Sequence, residues 1–202
     1  MNIKTVIEED TISSDEIKKI RNLDSCSTTK KEKVLNLINN NPIELVKLNG
    51  LLLRYINKNT NNYEKIVIEA IHQNPSSIDF VDREIDKNYL DDIYITLEEK
   101  LTDIKNNAIN SIINKNLNEN QIKRVNNVIV VDVKEPEEVC SVYETTRFIK
   151  ECFNSFLNLS HYKEKYIIKI EEFYKNYKDD LMYLNPLIKK NGLSIDLKYE
   201  LK

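Results

Sequence analysis

Residues 71–82 read IHQNPSSIDFVD, and residues 38–49 read INNNPIELVKLN. Both run from an apolar helical pattern into Asn-Pro and out into a second apolar pattern. Proline suits the first turn of a helix, where its missing N–H has no partner in any case. The residue before proline is pushed out of helical geometry, and asparagine there can cap the new helix with its side-chain oxygen. Asn-Pro after helical spacing therefore predicts that one helix ends and another begins at once. Glu44, at the third position of the helix starting at Pro42, has the spacing of a capping box.

Aligning Asn41 with Asn74 places Val34 on Val67, Ile38 on Ile71, Leu45 on Ile78, Leu48 on Val81 and Leu52 on Ile85. A helix–corner–helix unit is thus written twice at a period of 33 residues, the mark of stacked helical repeats. A third variant, IKKNGLSIDLKY at 188–199, matches only before its Asn-Gly. After it, Leu193, Ile195, Leu197, Tyr199 and Leu201 alternate with polar residues, a period that predicts a strand.

The stretches VLNLINNNPIELVKLNGLLL and IVIEAIHQNPSSIDFVDREI carry the layout VLxAVxxNPxxLxxAxxxL. They resemble the short helical repeats of domain of unknown function 4116, over about residues 30–88. The resemblance implies helical arrays of the kind found in microbial and viral proteins. It implies no catalytic residues. Leu48 and Val81 stand where that family has a small residue.

Outward from the repeat, helices are expected over 13–20, from Thr28 or Thr29 to Asn41, and over 42–57, 62–73 and 75–86. A longer one is expected over 89–115, with the stripe Leu90, Ile93, Leu97, Leu101, Ile104, Ala108 and Ile112. Val128–Val133 is β-branched and short, and predicts a buried strand. Further helices are expected over 136–159 and 162–184. The expected fold is mainly α with α+β character: stacked helical hairpins with Asn-Pro corners, plus a small sheet of two or three short strands. In that sheet Val128–Val133 and Leu193–Leu201 are neighbours. Two regions are expected, 1–120 carrying the repeats and 121–202 packed on it.

The 202 residues carry 41% hydrophobic and 31% charged side chains, with two glycines and four prolines. This favours helices joined by polar corners and leaves no glycine-rich phosphate loop. The abundant asparagine, isoleucine and lysine are read as codon bias. Net charge is −3, which gives nucleic acid no general attraction. Three cysteines, Cys26, Cys140 and Cys152, without a CxxC pair predict free thiols. No spanning segment or signal layout is legible. A cytoplasmic protein is expected, in its own cell or in a host cell as an accessory or effector protein.

No catalytic, cofactor or metal site is expected. Glu69 and His72 make half of a di-metal carboxylate motif, but His161 lies in the wrong order for the other half. Asp82, Glu84 and Asp86 space like a calcium loop, but Lys87 replaces its glycine and Ile93 its bidentate acid. Cys152 lies on an apolar stripe with Phe153 and Phe156, away from any nucleophile signature.

The remaining signal is acidic. Between Asp79 and Asp103 nine acids face three bases. Asp82, Asp86, Asp91 and Asp92 are the expected partner-binding residues: exposed like charges cost a little stability by repulsion and can steer a basic partner. The expected function is a non-enzymatic protein–protein interaction module. One alternative is a small α/β enzyme or nucleotide-binding protein, although Glu137 and Glu138 at the start of its helix would repel a phosphate. Another is a single-stranded nucleic-acid binder using the lysines and aromatics of His161–Lys178. Those aromatics recur at core spacing, so they are expected inward.

Overall fold

A computed structural model describes residues 12–116, 123–125, 128–130, 136–159 and 163–182. The chain divides into two compact units, Met1–Glu98 and Glu99–Lys202.

In the first unit, α1 (Ser14–Lys18) opens on a capping box. The Ser13 hydroxyl accepts from the Glu16 N–H, and the Glu16 carboxylate accepts from the Ser13 N–H. α2 (Thr28–Asn40) is capped by Ser27, one residue before the expected threonines. α3 (Pro42–Leu48) follows at once, as the Asn-Pro signal predicts. α4 (Tyr63–Gln73) is the central element, with Ile66, Val67, Ala70 and Ile71 fully buried. It packs on α3 and on two 3₁₀ turns, Gly50–Tyr55 and Pro75–Phe80, which also pack on each other. Arg54 lies 4.0 Å above the Phe80 ring between those turns, a cation–π contact.

Two expected helices are shorter than their apolar patterns. The helix read over 42–57 stops at Leu48 because Asn49 leaves it. The Asn49 amide donates to the carbonyls of Ile17 at 2.9 Å and Ile20 at 2.7 Å, while its oxygen accepts from the Leu51 N–H at 3.2 Å. The side chain is buried with its donors and acceptor in use, so it joins α1 to the repeat. The helix read over 75–86 is the single 3₁₀ segment Pro75–Phe80. Its Ser76 N–H donates to the Asn74 side-chain oxygen and its Ser77 N–H to the Asn74 carbonyl, and Val81 is already extended.

The two corners differ. Asn74 accepts from the Ser76 N–H at 3.0 Å. Asn41 makes no side-chain cap, and Glu44 pairs with Lys47 at 3.1 Å instead of closing a capping box. Asn74→Ala is therefore expected to lower stability by about 1 kcal/mol, and Asn41→Ala to leave it nearly unchanged. Urea midpoints of the two variants check this. Equal losses would contradict the assignment of the cap to Asn74 alone.

α5 (Leu90–Asn116) crosses the division between the units. Its first half buries Leu90, Ile93, Tyr94 and Leu97 in the first unit. In the second unit, α6 (Pro136–Leu159) packs against α7 (Lys163–Met182). Phe153 meets Phe173 edge-on with centroids 5.1 Å apart, and Phe156 meets Tyr166 at 4.8 Å. Lys105 of α5 is nearly buried. Its amine reaches Asp180 at 2.6 Å and lies 5.7 Å from the Phe173 ring centre.

The expected small sheet is overturned: the architecture is helical. Among the described residues the only extended pairing is local, between Lys123–Val125 and Val128–Val130. They run antiparallel with Lys123 opposite Val130, a ribbon too short to make a layer. β-branching alone identified an extended segment but could not supply a sheet for it. Leu193–Leu201 and the third variant of the repeat lie outside the described residues. No described helix is long and apolar enough to cross a membrane.

Candidate functional site

Two surfaces of the first unit gather polar groups. The first is an open cleft of about 570 Å³ between the Asn41-Pro42 corner and the turn that precedes α4. Asn39, Asn40 and Asn41 line one side, and Thr60, Asn61 and Asn62 the other. Lys47 and Lys65 contribute two positive charges, Glu44 and Glu69 two negative. The hydrogen bond from Lys47 to Glu44, helped by the charges of Glu69 and Glu44, holds the Lys47 amine above its usual range.

The local chain explains the cleft. The Thr60 N–H closes a turn on the Asn57 carbonyl at 2.9 Å, and Tyr63 N–H one on the Thr60 carbonyl at 3.1 Å. Asn62 then enters α4 with φ 59° and ψ 35°, the left-handed region that asparagine tolerates better than most residues. From there its side chain caps nothing.

Elsewhere the fold uses such side chains. Among the described residues, Asn22, Asn49, Asn57, Asn74, Asp82 and Asp86 each accept the N–H two residues on, at 2.9–3.2 Å. Asn41 and Asn62 both start helices without a side-chain cap, and both face the same cleft. Sequence reasoning missed this site. Its signal is the pair of asparagine runs at 39–41 and 61–62, which composition alone assigns to codon bias.

The second surface is the acidic segment. The Asp82 carboxylate accepts from the Glu84 N–H at 2.9 Å and lies 3.7 Å from the Lys58 amine, which also pairs with Glu84. The Asp82 N–H donates to the Tyr63 hydroxyl, whose pKa is pushed up by burial. Asp86 is exposed and caps the 3₁₀ turn Lys87–Tyr89. Asp91 and Asp92 lie in the first turn of α5, where the helix dipole favours negative charge. Asp92 is exposed and Asp91 half-buried. The expected cost of repulsion is thus offset by capping and by the dipole.

His72 is exposed at the end of α4, and no group of three potential metal ligands occurs among the described residues. Asp82 closes a turn onto the Glu84 N–H, and Asp86 caps the 3₁₀ turn Lys87–Tyr89. Cys152 is buried in α6, while Cys140 has no described side chain and His161 lies outside the described residues. The aromatics of α7 that recommended nucleic acid, Tyr166, Phe173, Tyr174 and Tyr177, are all buried. Their rings meet α6 or each other edge-on, so none is available to stack on a base.

Neither a curated protein nor a solved structure matches the chain. The family resemblance rests on the repeat: residues 30–86 match the family model described as Domain of unknown function (DUF4116), a segment that contains both Asn-Pro corners.

Proposed function

We propose that the chain is a non-enzymatic protein-interaction module that meets a basic partner through the acidic segment around the start of α5. The observation that supports this most is the exposure of the Asp86 and Asp92 carboxylates while Leu90, Ile93 and Leu97 of the same stretch are buried. The acids stand on an anchored turn and helix, so the charge pattern keeps its geometry. Repeats of helix and corner supply extended surfaces of this kind.

A pull-down at low salt tests the reading, with the wild-type chain and the D86N/D91N/D92N variant as baits. Asparagine retains the cap at 86, and the two lost charges in the first turn cost less than about 1 kcal/mol each. The variant should therefore fold. Proteins held by the wild type and lost by the variant are the expected result. Equal capture by both baits would remove the acidic segment from the interface, and capture of nothing by the wild type would remove the module reading.

A further inference from the structure

We propose that the asparagine-lined cleft is a second contact of this module and grips the main chain of an extended peptide segment of the partner. The inference rests on the interaction reading above but on different residues. Each primary amide offers an oxygen acceptor and two N–H donors. That set complements a peptide group, which presents one C=O and one N–H. Five such amides, from Asn39, Asn40, Asn41, Asn61 and Asn62, line the cleft. Asn41 and Asn62 hold cap positions without making a side-chain cap, in a fold where Asn22, Asn49, Asn74 and Asp86 cap their helical turns with the side chain.

Charge and shape narrow the ligand class. Lys47 and Lys65 are balanced by Glu44 and Glu69, so the lining favours neither an anion nor a cation. No aromatic side chain lines the cleft, which leaves no platform for stacking a base. A neutral group rich in donors and acceptors remains, and an extended main chain is that group in polymeric form.

The two key amides can be removed with little structural cost. Asn41→Ala deletes no cap, and Asn62→Gly keeps a residue at ease with positive φ. The test selects binders from a displayed library of short random peptides, using the full wild-type chain. Selected peptides are then measured against wild type and the N41A/N62G variant. The expected result is a loss on the order of tenfold in affinity, from two missing hydrogen-bonding amides. N-methylation of the peptide's own backbone amides should abolish binding to the wild type, whereas single side-chain changes should matter less. That measurement needs no folded variant.

Failure to select any peptide, equal affinity for both chains, or indifference to N-methylation would overturn the proposal. The two surfaces remain separable on a captured partner. Loss of that partner by D86N/D91N/D92N but not by N41A/N62G overturns the cleft and leaves the acidic surface standing. Loss by N41A/N62G alone supports the cleft and overturns the acidic surface.

Discussion

Gly50→Ala is expected to destabilise the first unit by about 3 kcal/mol or more, enough to unfold a marginal domain. A Cβ at residue 50 would lie 2.3 Å from the Ala70 carbonyl oxygen, 2.7 Å from the Ser77 hydroxyl and 3.1 Å from the Ala70 carbonyl carbon. The first of these is helix backbone and cannot rotate away. The same Ala70 oxygen accepts the Asn74 N–H at 2.8 Å, the bond that closes α4 before its Asn-Pro corner. Moving it would loosen the corner as well. Residue 50 cannot retreat easily either, since its N–H donates to the Gln73 side chain at 2.6 Å and Asn49 is held across to α1. The need here is close approach of backbone to backbone. Urea denaturation checks the expectation, and a wild-type midpoint would mean that Gly50 and α4 do not meet as described.

Phe153→Ala is expected to cost about 3–5 kcal/mol in the second unit, the usual range for emptying a buried phenylalanine site. Phe153 is 0% exposed and meets two rings of α7, Phe173 at 5.1 Å and Tyr174 at 6.0 Å. Its loss removes burial and both edge contacts at once. Phe153→Leu should recover part of that stability, since it refills most of the volume. Thermal unfolding of the pair gives the answer. An alanine variant within about 1 kcal/mol of wild type would contradict a packed α6–α7 seam.

The three long helices were legible because each carries an apolar stripe at spacings of three and four over many turns. The sequence predicts 89–115, 136–159 and 162–184, and the structure has Leu90–Asn116, Pro136–Leu159 and Lys163–Met182. Asn-Pro likewise marked both corners, because proline constrains the backbone locally. What was not legible depends on groups distant in the chain. Leu48 to Ile56 reads as continuing a helix, and only the Ile17 and Ile20 carbonyls, about thirty residues earlier, explain why Asn49 leaves it. Lys105 would be assigned to solvent by residue type, yet its amine meets Asp180, 75 residues on. The sheet expectation erred in a related way. The β-branching of Val128–Val130 reports what a segment could do as an edge, and a sheet needs a partner that the local sequence does not name.

The candidate surfaces followed the same division. The acidic run was visible as composition, and its local roles as caps and first-turn charges emerged only with the helix boundaries. The cleft was hidden because asparagine is abundant throughout the chain. Only the contrast between capping and non-capping asparagines separates Asn41 and Asn62 from the rest.

In the proposed function, charge on the turn and first helical turn between Asp86 and Asp92 draws in a basic partner. Association rates measured for a partner retained by the wild type test it most directly, with wild type and D86N/D91N/D92N compared at low and at high salt. Steering by exposed charge changes the rate of encounter and is screened within about 10 Å at 0.1 M salt. The variant should associate roughly tenfold more slowly at low salt, with the difference nearly gone at high salt and dissociation little changed. Equal association rates at low salt would contradict the claim and leave this segment as a solvated, self-capping face of the fold.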